Sequence, residues 1–219
     1  MTHGHRFFGG ERRGYHHGRL KDALVDAARA LVAERGPAGF TLAEAAKRVG
    51  VTPAAPYRHF ADRSELLGEL AQRGFDIFGQ RLSDAWHEGK PDAMTALRRM
   101  GMAYLAFAQE EPGLYMAMFG NARTLDAPAA GHAATQALET LRRAAAAVLA
   151  ENGRTNADAR KLAFEIWSMS HGVAMLTLSG HLGPDDHGSS PRDILQSAVD
   201  ALVAAAADQS GVSPWSRRD

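Results

Sequence analysis

Thr41 to Phe60 limits the fold more than any other stretch. Thr41-Leu-Ala-Glu44 has the S/T-x-x-E spacing of a capping box. Leu42, Ala45, Ala46 and Val49 fall on one face of the short helix it opens, and Gly50 stops that helix after about two turns. Thr52 then offers a cap and Pro53 a first-turn position for another short helix, predicted to run to about Phe60. Two short helices around a glycine that supplies positive φ have the geometry of a helix-turn-helix. Upstream, Leu20, Leu24, Ala27 and Leu31 form one amphipathic stripe that Gly36-Pro37 terminates. Three helices of this size bury a small common core and leave the second member of the pair exposed.

The helical period continues through the chain. Asp62 and Glu65 open a long helix to about His87, Pro91 starts another, and Pro112 starts a short one ending near Gly120. After a linker rich in Ala, Gly and Pro (Asn121–Gly131), a helix is predicted to about Asn152. Asn156 is read as the cap of the next, to about Ser179. Gly183 to Ser190 reads as a loop, and Ser190-Pro191-Arg192-Asp193 starts a last helix ending near Asp208. No segment sustains strand alternation. The expected fold class is all-α, with about nine helices and an N-terminal three-helix head.

Composition removes several functions. There is no cysteine, so disulfides, thiolate metal sites and cysteine nucleophiles are excluded. The His3, His5, His16 and His17 cluster lacks acids or cysteines at ligand spacing, so neither a metal nor a cofactor is expected. Glu110, Glu111, His132 and His171 form no recognisable catalytic constellation, and an enzyme is not expected. The N-terminus shows no cleavable signal peptide, and the apolar run 163–182 carries Glu165 and His171. A cytoplasmic protein without a membrane span is therefore expected. Net charge is zero, from 25 Lys+Arg and 25 Asp+Glu, yet residues 1–60 hold ten basic and five acidic side chains. Such a head fits either a polyanion contact or a solvated basic tail.

Residues 20–70 carry L-x3-L-x2-A-x3-L-V-A-E-R-G, then F-T-L-A-E-A-A-K-R-V-G-V-T-P-A-A-P-Y-R-H-F-A-D-R-S-E-L-L. This stretch resembles the DNA-binding domain of the TetR family of transcriptional regulators. Ile166-Trp167-Ser-Met-Ser-His171-Gly172 is also similar to the Trp…His-Gly signature of one C-terminal subgroup of that family. The resemblance implies a homodimeric, ligand-responsive regulator, usually a repressor, on a palindromic DNA operator. It divides the chain into a basic flexible arm (1–18), a helix-turn-helix domain (19–64), an effector-binding and dimerisation domain (65–208) and a flexible tail (209–219). It also implies phosphate contacts from Thr41, Tyr57 and His59, with Arg63 where the family usually has Lys. The exposed first turn, Thr52, Pro53, Ala54 and Ala55, departs from the polar residues common there. Alanines reach only thymine methyls. Arg58 fits a guanine contact or a phosphate contact. In the arm, Arg12, Arg13 and Arg19 fit entry into a minor groove or solvation as a tail.

The body is rich in soft and aromatic side chains, which suit adaptable apolar pockets between helices. Phe78, Met100, Tyr104, Phe107, Tyr115, Met118, Phe119, Trp167, His171 and Met175 are the expected contacts of an apolar or aromatic small-molecule effector. Tyr104 and His171 are its polar handles. The last two long helices, about 157–179 and 191–208, have small and apolar faces. The resemblance implies that they pair two subunits, and that effector binding moves the long helix after the head.

Overall fold

The computed structural model describes residues 12–120, 128–183 and 190–208, and for 12–18 and 208 the backbone alone. Among the described residues there are eight α-helices, two short 3₁₀ turns and no strand. The helices are α1 (Arg12–Arg35), α2 (Leu42–Arg48), α3 (Arg63–Trp86), α4 (Ala93–Glu110), α5 (Pro112–Phe119), α6 (Pro128–Glu151), α7 (Ala159–Leu178) and α8 (Pro191–Asp208). Helix α1 begins at Arg12, so residues 12–18, read from sequence as part of an arm, have helical backbone. Residues 1–11, the linker residues 121–127, the loop residues 184–189 and the tail 209–219 lie outside the described part.

Local chemistry sets the head. The Thr41 capping box is complete: Glu44 N–H donates to Thr41 Oγ1 at 3.2 Å, and Thr41 N–H donates to Glu44 Oε2 at 2.8 Å. Helix α2 ends at Gly50, whose φ is +76°, with Val51 N–H donating to Ala46 O at 3.0 Å. That i→i−5 bond with a left-handed residue inside it is a Schellman ending, and it turns the chain sharply. Leu24, Ala28, Leu31, Phe40, Leu42, Ala45 and Phe60 fill the small core.

The second helix of the pair differs from expectation. The chain forms a 3₁₀ turn over Ala55–Arg58, preceded by Ala54, and Thr52 caps no α-helix. Pro56 decides this. Pro56 has no N–H to give the Thr52 carbonyl four residues back, so the α-ladder cannot start there. Ala55 N–H instead reaches Thr52 O at 3.0 Å, and the bond three residues back tightens the turn. Farther along, α7 is capped by Asp158, whose carboxylate accepts from the N–H groups of Arg160 and Lys161, rather than by Asn156. Helix α4 starts on Asp92, not Pro91.

Helix α3 joins the head to the body. Its Asp62 cap accepts from Glu65 N–H at 2.9 Å. Its 24 residues span about 36 Å. Leu66, Leu67, Leu70, Ala71, Phe75, Phe78 and Leu82 are all buried, so one apolar stripe serves both halves of the molecule. Helices α1, α4, α5 and α6 pack around it, and α7 and α8 close the body on the far side.

The joint between head and body is tight. Arg29 on α1 pairs with Glu111, and Lys21 and Asp22 pair with Glu69 and Arg73 of α3 at 2.7 Å each. At Gly113, a Cβ would lie 2.1 Å from the Arg29 carbonyl oxygen, so only glycine lets α5 approach α1 this closely. Gly113→Ala is expected to force the two helices apart and destabilise the fold by about 1–3 kcal/mol, measured by chemical denaturation.

Candidate DNA-binding surface and cavity

The 3₁₀ turn presents Tyr57 and Arg58 to solvent, and Tyr57 is 62% exposed. An aromatic ring left that bare on a folded head is oriented outward by its backbone, because Pro56 and Phe60 on either side of it are buried. Thr52, Pro53 and Ala54 are exposed beside it, while Ala55 and His59 are half-buried. Lys47 and Arg58 make no ion pair among the described residues, whereas Arg48 is held by Glu34 at 2.5 Å and Arg35 by Glu44 at 2.9 Å. The usable positive charge of this face therefore lies near the recognition turn.

Two of the expected phosphate ligands already have work inside the head. Arg63 Nη1 donates to the carbonyls of Ala38 at 2.8 Å and Phe40 at 3.4 Å, bracing the loop before α2 against the start of α3. A guanidinium carries five donors, so others remain. Thr41 Oγ1 accepts from Glu44 N–H and donates to Glu44 Oε2 at 3.0 Å. Arg19 is exposed on α1, and the side chains of Arg12 and Arg13 lie outside the described residues.

The body holds a partly open cavity of about 380 Å³ between α3, α4, α5, α6, α7 and α8. Of the sequence-expected effector contacts, Phe78, Met100, Tyr104, Phe119 and Trp167 form its wall. Phe107, Tyr115 and Met118 are instead buried in the core behind it, and His171 and Met175 are half-buried outside the wall. Sequence reasoning missed Gly101 and Arg98 on α4 and Leu195, Gln196 and Val199 on α8. It also missed the α6 wall of Gly131, Ala134, Leu138 and Leu141. Their spacing of three and four residues puts these on one helix face, with the small ones leaving room.

Behind the wall lies a polar relay. Tyr104 Oη is 3.2 Å from Tyr115 Oη, which is 2.7 Å from His171 Nδ1. Tyr104 Oη also lies 3.4 Å from His171 Nδ1, so the two phenols and the imidazole form one hydrogen-bonded cluster in which either hydroxyl can donate to the other. Burial pushes the Tyr104 phenol up to about 12. Burial, with Tyr104 alongside, pushes the Tyr115 phenol up as well, and burial pushes His171 below its ordinary 6.5. All three groups are thus neutral near pH 7. The rings stack closely: Phe78 and Tyr104 are 5.0 Å apart and edge-on, and Phe119 and His171 likewise 5.0 Å. Among the described residues no three His, Asp or Glu side chains gather as a metal site would require, and no helix is long and apolar enough to cross a membrane.

A trihelical head with an outward aromatic-basic turn, set on a helical body, defines a DNA-binding helix-turn-helix regulator. Residues 24–70 match the model of the bacterial regulatory proteins of the tetR family, and residues 97–202 match that of the tetracyclin repressor-like C-terminal domain. The chain belongs to the TetR family of transcriptional regulators. It is 33% identical over 100 residues to the uncharacterized HTH-type transcriptional regulator YobS of Bacillus subtilis, covering 46% of this chain and 51% of YobS. It is 32% identical over 104 residues to the nucleoid occlusion factor SlmA of Vibrio cholerae, covering 48% and 53%. The chain thus spans about half the length of the curated relatives it matches. A Rhodococcus sp. RHA1 protein of unknown function superposes with TM-score 0.73 at 28% identity, over 89% of this chain and 98% of that one. The Bacillus subtilis regulator FadR in complex with stearoyl-CoA shares the fold, with TM-score 0.66 at 16% identity over 88% and 99%.

The His171 shift gives a pH dependence. Its pKa is lower in the folded chain than the ordinary 6.5, so the unfolded chain binds the extra proton. The stability from neutral His171 is fully present above about 6.5 and is lost as pH falls through and below that value. Between pH 7.5 and 5.5 the wild type is expected to lose more thermal stability than His171→Gln, compared by melting curves at matched ionic strength.

Proposed function

We propose that the chain is a homodimeric repressor that binds a palindromic operator in the cytoplasm and leaves it when a small apolar or aromatic effector enters the cavity. The observation that carries this reading is the continuity of α3, which starts beside the recognition turn and lower down supplies Phe75, Phe78 and Leu82 to the cavity wall. A ligand that packs against those side chains acts on the same rigid element that supports the head. It releases DNA only by binding the DNA-incompetent arrangement more tightly than the competent one. The structural neighbour FadR, solved in complex with stearoyl-CoA, is in line with an apolar ligand class.

Pairing of subunits is supported by an apolar face on α7 and α8. Met169 is 37% exposed and Leu176 50%, and Phe164, Gly172, Ile194 and Leu202 border them. On the DNA side, Tyr57, His59 and Arg63 hold phosphates, Thr41 joins them only by releasing its hydroxyl from Glu44, and Arg58 is the residue best placed to discriminate a base edge. Phosphates fix register and base edges carry sequence.

Mobility-shift titration with the intergenic DNA upstream of its own gene tests the reading. With about six phosphate contacts, affinity is expected to fall roughly 10³-fold between 50 and 200 mM salt. Tyr57→Phe weakens all duplexes alike, whereas Arg58→Ala costs about 1–3 kcal/mol of discrimination at one base pair. Leu176→Asp is expected to elute as a monomer from a sizing column and to lose operator binding. Salt-insensitive binding, or a wild-type monomer, would refute the proposal.

A further inference from the structure

Among the described residues the cavity wall carries one formal charge, the Arg98 guanidinium on α4. That charge is already occupied. Arg98 Nε donates to Asp200 Oδ1 at 2.9 Å and Arg98 Nη2 to Asp200 Oδ2 at 2.8 Å, the parallel two-point pairing that matches a planar fork to a carboxylate. Asp200 sits on α8 and is not part of the wall. The two side chains keep 41% and 44% exposure, which puts the pair at the solvent edge of the cavity. Tyr104, whose buried hydroxyl belongs to the neutral relay, lies six residues farther along α4, about 9 Å of helix rise away.

We infer that Asp200 is a specificity-determining residue that occupies Arg98 and so restricts the cavity to neutral effectors. The inference rests on the effector reading of the cavity given above. An entering anion finds the guanidinium charge already balanced by a carboxylate, whose own negative charge stands beside it. An entering cation meets the guanidinium. A neutral molecule meets neither cost, since the rest of the described wall is uncharged. At about 30 Å³ per water-sized group, the cavity of about 380 Å³ holds on the order of a dozen non-hydrogen atoms.

Decanol, decanoate and decylamine share one chain and differ in charge, and each can be titrated into the full-length protein at pH 7.5 by calorimetry. Wild type is expected to bind decanol at least tenfold more tightly than decanoate. Asp200→Asn removes the balancing negative charge, so the decanoate-to-decanol affinity ratio is expected to rise at least threefold while decylamine weakens. Movements of opposite sign for the two ions are not produced by a general loosening of the cavity. Adding Arg98→Met to Asp200→Asn is expected to remove the gain for decanoate, and circular dichroism of each variant checks the fold. Equal binding of decanol and decanoate by wild type, or an unchanged ratio in Asp200→Asn, overturns the charge restriction alone. Failure of the wild type to bind any of the three overturns the effector cavity itself, and this inference with it.

Discussion

One apolar stripe on α3 holds the molecule together. Leu66, Leu67 and Leu70 belong to the head, Phe75, Phe78 and Leu82 to the body, and no break in the helix separates them. A helix with intact hydrogen bonds transmits displacement along its length, because bending it requires breaking that ladder. The contacts around it add stiffness. Gly113 lets α5 sit against the backbone of α1, and at Gly74 a Cβ would lie 2.7 Å from the Met118 sulfur, so α3 and α5 are also in close approach. Change at the body therefore has few places to be absorbed before it reaches the head.

The cavity persists for a matching reason. Protein interiors close up wherever side chains can reach each other. Here Gly101, Gly131, Ala134 and Ala137 face the space, and none is long enough to fill it. The aromatic groups across from them cannot swing inward freely. Tyr104 is fixed by Tyr115 and by the ring of Phe78, and Phe119 is wedged between Phe75 and His171. Satisfied polar groups inside an apolar shell are costly to disturb, because any rearrangement leaves a donor or acceptor without its partner.

Much of this was legible in the residues. The capping boxes at Thr41 and Ser190, the stop at Gly50 and the first-turn Pro112 all act through neighbours three or four positions away, and the structure has each in place. The all-helical class and the head followed from such local signals. What failed was also local but depended on competition. Thr52 and Pro53 have the chemistry of a helix start, yet Pro56 vetoes the ladder they would begin. Asn156 and Asp158 both can cap, and Asp158 does because its carboxylate reaches two N–H groups at once. The cavity was only half legible. Residue type identifies Tyr115 and Phe107 as aromatic, but whether an aromatic ring faces the space or the core behind it is decided by rotation about a helix axis and by which helix lies opposite. The Arg98–Asp200 pair joins positions 102 apart in sequence, a distance over which no periodicity speaks.

Pro53 and Pro56 bring a last consequence. Pyrrolidine rings hold two of the five residues from Thr52 to Pro56 near a single backbone angle even in the unfolded chain. In the operator-binding role proposed above, this turn would have little shape left to choose when a duplex arrives. Its alanines and prolines offer no side-chain hydrogen bond to a base edge, so in that role accommodation would fall to the nucleic acid, and base steps that deform easily would seat best.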